Sequence, residues 1–166
     1  MIVAARPTWA GYKSALPWYR RAAEAGLADA QYAMANVHSH ARGVVHNDDV
    51  EARKWLERAA LNGLDTAQLE LGIWLANGRG GAKDPVKALQ WLRRAAGQRN
   101  VLAQNRLARM YAFGVGTQKD TVRAGAWYVI ATRGGYSDPQ MNVRFNAMSQ
   151  IDKKRSIDLA NRLQPR

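Results

Sequence analysis

AQLELGIWLANGRGGAKDPVKALQWLRRAA, residues 67–96, decides the fold. Ala67, Leu71 and Leu75 recur at i, i+4 and i+8, which lines one face of a helix with apolar side chains. Asp84 followed by Pro85 marks the start of a second helix: an aspartate N-cap, then a proline at the first helical position, where no N–H is needed. Ala88, Trp91, Leu92, Ala95 and Ala96 then form another stripe at helical spacing. The glycine-rich stretch NGRGGAKD, residues 77–84, joins the two as a turn. The segment therefore predicts a pair of helices, neither long enough to bury its apolar face alone.

The pair recurs along the chain. Trp18, Trp55, Trp91 and Trp127 are 37, 36 and 36 residues apart. Ala15, Ala52, Ala88 and Ala124 precede them by three, and Ala22, Ala59, Ala95 and Ala131 follow by four. Gly26, Gly63 and Gly135 stand eight residues after three of them, and Arg99 takes that place in the remaining copy. Gln31, Gln68, Gln104 and Gln140 keep the same period, with Met34, Leu71, Leu107 and Val143 three positions later. Asp48, Asp84 and Asp120 form a capping series, and Gly43, Gly80 and Gly116 a turn series. The extra residue of the longer first period accordingly falls between Gly43 and Asp48. Repeats of this size bury a continuous core only by stacking, so the array reads as an all-α, right-handed α/α superhelical solenoid of about four tandem 36-residue helix pairs.

The pattern A-Q-x-x-L-G, then G-x-G-x-x-x-D, then A-x-x-W-L-R-R-A-A resembles the Sel-one-like repeat (SLR) family, a relative of the tetratricopeptide repeat. The likeness runs over residues 12–136 and rests on packing residues, so it speaks to fold more than to function. Copy one departs from the pattern at His38 and Ala41, where an aromatic and a glycine are usual. We read one domain over 1–166: an N-terminal arm (1–11), an unpaired helix (12–27), three full repeats (28–136) and a C-terminal capping helix pair (137–166). Pro17 predicts that the unpaired helix starts near Ser14–Leu16 or is kinked. Asp138–Pro139 caps the penultimate helix, with Val143 in the core phase and Phe145 beside it. Ser149 or Asp152 opens the last, which carries Ile157, Leu159, Ala160 and Leu163.

Composition excludes several classes. Hydrophobic residues make up 47% and charged residues 23%, the balance of a folded chain rather than a disordered one. No apolar run is long enough to cross a membrane, so membrane insertion is not expected. The start MIVAARPTWA lacks the apolar core of an export signal. The default expectation is a cytoplasmic protein, or a periplasmic or secreted one if an upstream signal has been removed. Without cysteine there are no disulfides, thiolate metal sites or thiol nucleophile. No G-x-S-x-G, H-E-x-x-H or phosphate-loop motif occurs, since Gly78–Asp84 lacks the Gly-Lys-Ser/Thr ending and its glycines belong to the repeat. An enzyme is not expected, nor a cofactor. His38, His40 and His46 cluster, but on a helix the first two point about 200° apart, which disfavours a metal site.

The net charge is +12. Such a field suits acidic partners, yet Arg20–Arg21, Glu57–Arg58 and Arg93–Arg94 fall on the outer face of the second helices. Arg42, Arg79, Lys83 and Lys119 fall in turns. Spread charge of this kind favours a solvated surface, and nucleic acid is disfavoured. The residues opposite the packing stripe of each first helix escape the repeat pattern: Tyr32, Asn36 and His40; Leu69, Ile73 and Asn77; Asn105, Arg109 and Phe113; Met141 and Phe145. The resemblance implies that this stripe lines a concave surface, and its mixture of apolar groups and amides suits a peptide or helix of another protein. It also implies a scaffold or adaptor in a bacterial signalling, secretion or envelope pathway. The alternative is a basic solenoid that binds an anionic polymer such as nucleic acid, peptidoglycan or acidic polysaccharide. At the N-terminal edge the helix bearing Ala15, Trp18, Tyr19, Ala22 and Ala23 should pack on Ala30, Met34 and His38. Its outer flank needs a cover, either residues 1–10 folded back with Trp9 or Ile2 over it, or a second copy in a homodimer.

Overall fold

The structure is a computed structural model and describes residues 9–40 and 48–164. Among these residues it contains nine helices and no strand: α1 (Trp9–Glu24), α2 (Ala28–Ser39), α3 (Asp49–Leu61), α4 (Asp65–Asn77), α5 (Pro85–Gly97), α6 (Val101–Phe113), α7 (Thr121–Arg133), α8 (Pro139–Asn146) and α9 (Gln150–Leu163). Helices α2, α4 and α6 are the first members of successive pairs. Each packs most closely on the second member that follows it, α3, α5 or α7. The chain is a stacked α/α solenoid.

The aspartate series starts the second helices as read. Asp48, Asp84 and Asp120 accept from the backbone N–H of Glu51, Lys87 and Arg123 at 3.0, 2.9 and 2.8 Å. Their own N–H groups reach back to first-helix carbonyls, Asp84 to Leu75 and Asp120 to Tyr111, nine residues earlier. Asp48 reaches ten residues back, to His38, so the extra residue of the first period lies between these two. Residues 41–47, with Ala41, Arg42, Gly43 and His46, are outside the described residues.

Met34, Leu56, Leu71, Leu92 and Leu107 are fully buried along the array. Alanines 52, 59, 88 and 95 are buried beside them and let neighbouring helices approach closely. The tryptophans occupy the border of this core. Trp55 is buried, but Trp91 and Trp127 are only half-buried and Trp18 is 69% exposed. The guanidinium groups of Arg58 and Arg94 lie 4.5 Å over the rings of Trp55 and Trp91. These arginines stay exposed while their guanidinium groups lie over the rings, so cation–π attraction joins Trp55 and Trp91 to a solvated outer face. Arg93 likewise donates to the Tyr111 hydroxyl.

The glutamine series forms a buried ladder. Gln31, Gln68 and Gln104 each donate Nε2 to a carbonyl eight residues earlier, on Ala23, Ala60 and Ala96. The next repeat then closes each rung: Asn62 Nδ2 donates to Gly26 O and Gln31 Oε1, and Gln98 Nε2 to Gly63 O and Gln68 Oε1. One period on, Gly134 has no side-chain amide to offer, and Gln104 Oε1 has no hydrogen-bond partner among the described residues. Gln164 from the chain's end meets this rung instead, donating to Ala96 O at 2.9 Å. Arg99, which stands where the other copies have glycine, adopts the same left-handed backbone at φ 66°.

Both ends depart from expectation. Helix α1 begins at Trp9, earlier than the expected start near Ser14–Leu16, and runs through Pro17; a proline in mid-helix forfeits one backbone bond and kinks a helix more readily than it ends one. Residues 1–8, with Ile2, lie outside the described residues. At the other end the repeat loses its phase. Asp138 caps α8 through Met141 N–H, so this helix starts later than its counterparts and lasts only 8 residues. The change moves Met141 into the core at 2% exposure and turns Val143 outward at 69%. Ser149 opens α9, which packs on α7 through Ser156 and Ala160. Ile157 and Leu163 remain exposed.

Candidate functional site: the face of the first helices

Most of the stripe gathers in two adjacent depressions. Tyr32 and Asn36 of α2 and His40, which caps its end, line the first, about 510 Å³ in volume, together with Tyr19 of α1 and Glu70 of α4. Ile73 and Asn77 of α4 and Arg109 and Phe113 of α6 line the second, about 210 Å³, with Arg106 and Met110. Leu69 lies half-buried against the core. Two stripe residues are not surface groups. Asn105 is 5% exposed, beside the Asp138 carboxylate, and Met141 is buried by the altered phase of α8. Met141 and Phe145 belong instead to a third depression of about 350 Å³, bounded by Arg144, Met148 and Asp152 near the chain's end. Phe145 meets the Tyr128 ring there at 5.3 Å.

The first depression has its own polar order. The Tyr32 hydroxyl is shifted to a higher pKa by burial first and then by the neighbouring Glu70 carboxylate, against a smaller opposite effect of Asn36. His40 Nδ1 sits 2.7 Å from Ser39 Oγ and 3.0 Å from the Asn36 carbonyl. The nearby cation Arg79 is already engaged: it binds Asp49 at 2.9 and 3.0 Å and lies 4.0 Å over Trp74. Arg79 thus holds one repeat to the previous one. Arg53 does the same from the other side, donating to the carbonyls of Arg79 and Ala82.

In the second depression Arg109 is also committed, to Asp138 at 3.1 Å and Gln140 at 2.7 Å. Burial would raise the Asp138 pKa, but the Met141 N–H, the Asn105 amide and Arg109 together hold it below the usual carboxylate value. Arg106 is exposed and makes no ion pair or hydrogen bond among the described residues. Phe113 is 45% exposed, with the Arg144 guanidinium 4.3 Å over its ring.

Sequence reasoning missed Glu70 and Arg106. They occupy the same place in successive repeats, two residues past Gln68 and Gln104, beside the stripe rather than on it. The signal was the sign reversal at one repeat position. No group of three or more potential metal ligands occurs among the described residues, and no described helix is long and apolar enough to cross a membrane.

No curated protein matches the chain. A solved Sel1 repeat protein from Oxalobacter formigenes superposes with a TM-score of 0.74 at 34% identity, over 82% of this chain and 39% of its own. The uropathogenic Escherichia coli protein c5321, described as a protective antigen displaying an SLR fold, superposes with a TM-score of 0.61. It is 24% identical, over 90% of this chain and 40% of its own, and shows likeness of fold alone. The chain thus spans about two-fifths of the length of either solved neighbour. The model of the Sel1 repeat matches residues 12–27, 28–64, 65–100 and 101–136. With the capped helix pairs, the stacked core and the glutamine ladder all keeping that period, the chain belongs to the Sel1 repeat family.

Proposed function

We propose that this protein is a non-catalytic adaptor that holds a segment of a partner protein along α2, α4 and α6. Sel1-repeat proteins are generally protein-interaction scaffolds, and the finer reading rests on one observation. Residues free of the repeat pattern, among them Tyr32, Asn36, Ile73, Asn77 and Phe113, line two neighbouring depressions instead of the packed joints. Side chains that the fold does not need, gathered where the surface is concave, are the usual composition of a recognition site. The partner's identity, and any bacterial signalling, secretion or envelope pathway it serves, belongs to the same proposal.

The test separates binding from folding. Arg106→Glu with Phe113→Ser changes two exposed side chains outside the core, so the cost in stability should stay below about 1 kcal/mol. Arg109 is left intact because it ties α6 to the start of α8. The double variant should melt close to the parent and lose its native partner in affinity capture. Unchanged capture of the same protein would place the binding face elsewhere.

A further inference from the structure

The two depressions differ in charge. Glu70 is the one formally charged residue lining the first, whereas Arg106 and Arg109 line the second. In a chain of net charge +12, a depression whose single charge is negative stands out from its surroundings. Two phenol rings, Tyr19 and Tyr32, share its wall with that carboxylate. Glu70 and Tyr32 line the same depression, and the carboxylate helps to raise the Tyr32 pKa; a carboxylate accepts several hydrogen bonds, so this neighbour leaves it capacity for another donor. Arg79 lies close enough to Glu70 to feel its charge, but its hydrogen bonds go to Asp49 and the Ser39 carbonyl, and those of Arg53 to the turn carbonyls and Glu57, so neither arginine of the repeat joint hydrogen-bonds Glu70 among the described residues.

We propose that the first depression receives an arginine side chain of the partner segment, its guanidinium held by Glu70 and the faces of Tyr19 and Tyr32. A planar, weakly hydrated guanidinium can stack on an aromatic face and bond a carboxylate at once, which a lysine ammonium does less well. Charge-assisted bonding to Glu70 supplies the affinity. The basic second depression repels the same group, so the charge pattern also sets the direction in which the segment lies. The inference rests on the groove reading above and adds the chemistry of one subsite.

The probe is N-acetyl-L-arginine N-methylamide, added to the isotope-labelled full chain and followed by NMR. Shifts are expected at Tyr19, Tyr32, Asn36 and Glu70, with the matching citrulline amide, which lacks the charge, giving none. Glu70→Gln keeps an acceptor for Tyr32, and circular dichroism checks its fold; it should weaken the arginine amide by about tenfold or more, the scale of a charge-assisted bond. Equal response to citrulline, a response insensitive to Glu70→Gln, or shifts confined to other helices would each overturn the proposal. Peptides selected from a random library on the full chain separate the two readings. Groove binders without arginine overturn this subsite and leave the groove, while an arginine response with no groove-binding peptide keeps the subsite and removes the groove.

Discussion

Gly116→Ala should lower the stability of the array by at least about 3 kcal/mol, from left-handed strain and overlap acting together. Gly116 sits at φ 67° in the turn after α6, and a Cβ there would come 2.0 Å from the carbonyl oxygen of Pro85. That atom is backbone at the start of α5, in the previous repeat, and cannot swing aside. Gly80 makes the equivalent approach to Asp49, with a Cβ distance of 2.2 Å. These turn glycines are therefore joints between repeats, where one loop rests on the N-terminus of the preceding second helix. Urea unfolding should show the loss as a shifted midpoint. A midpoint matching the parent's would mean that the repeats do not meet through this turn.

Leu107→Ala is the other large effect. Leu107 is fully buried at the centre of α6, between α5 and α7, and its truncation should cost on the order of 3–5 kcal/mol. Trp91→Ala removes a larger side chain but should cost less, because Trp91 is half-buried and covered from outside by Arg94. The sequence places both residues in the core by helical phase, and only burial separates them. Thermal melting of the two variants side by side should rank Leu107→Ala as the less stable. The reverse order would show that the Trp91 ring, not the leucine row, carries the packing of these repeats.

The fold was legible because packing at a fixed period repeats its own chemistry. Asp84 as a cap, Gln68 as a buried donor and Gly80 as a turn each have partners one period away, so coincidence in spacing is a measure of structure. Legibility failed where the period failed. Gln140 keeps the spacing of Gln31, Gln68 and Gln104, but Asp138 and Pro139 start α8 late, and the phase carried over from earlier copies assigns Met141 and Val143 to the wrong faces. Pro17 misled over the start of α1, which lies at Trp9 rather than near Ser14–Leu16. The candidate site was half legible. Angular position alone picks out Tyr32, Ile73 and Phe113, which line the two depressions, but a line of single residues is narrower than a groove, so Glu70 and Arg106 on its flank went unread. Asn105 shows the limit of the same geometry: a position opposite one packing face can still be buried, here beside the Asp138 carboxylate.

The face itself can be tested without knowing the partner. A photoreactive phenylalanine analogue at Phe113, exposed in the second depression, reports what lies in the groove; the same analogue at Gln90, exposed on α5, reports the outer face. Irradiated in the native cell, the Phe113 probe should form one discrete adduct that disappears with Arg106→Glu, while the Gln90 probe forms none. An adduct from Gln90 alone, or equal adducts from both positions, would contradict the assignment of the first helices as the binding face.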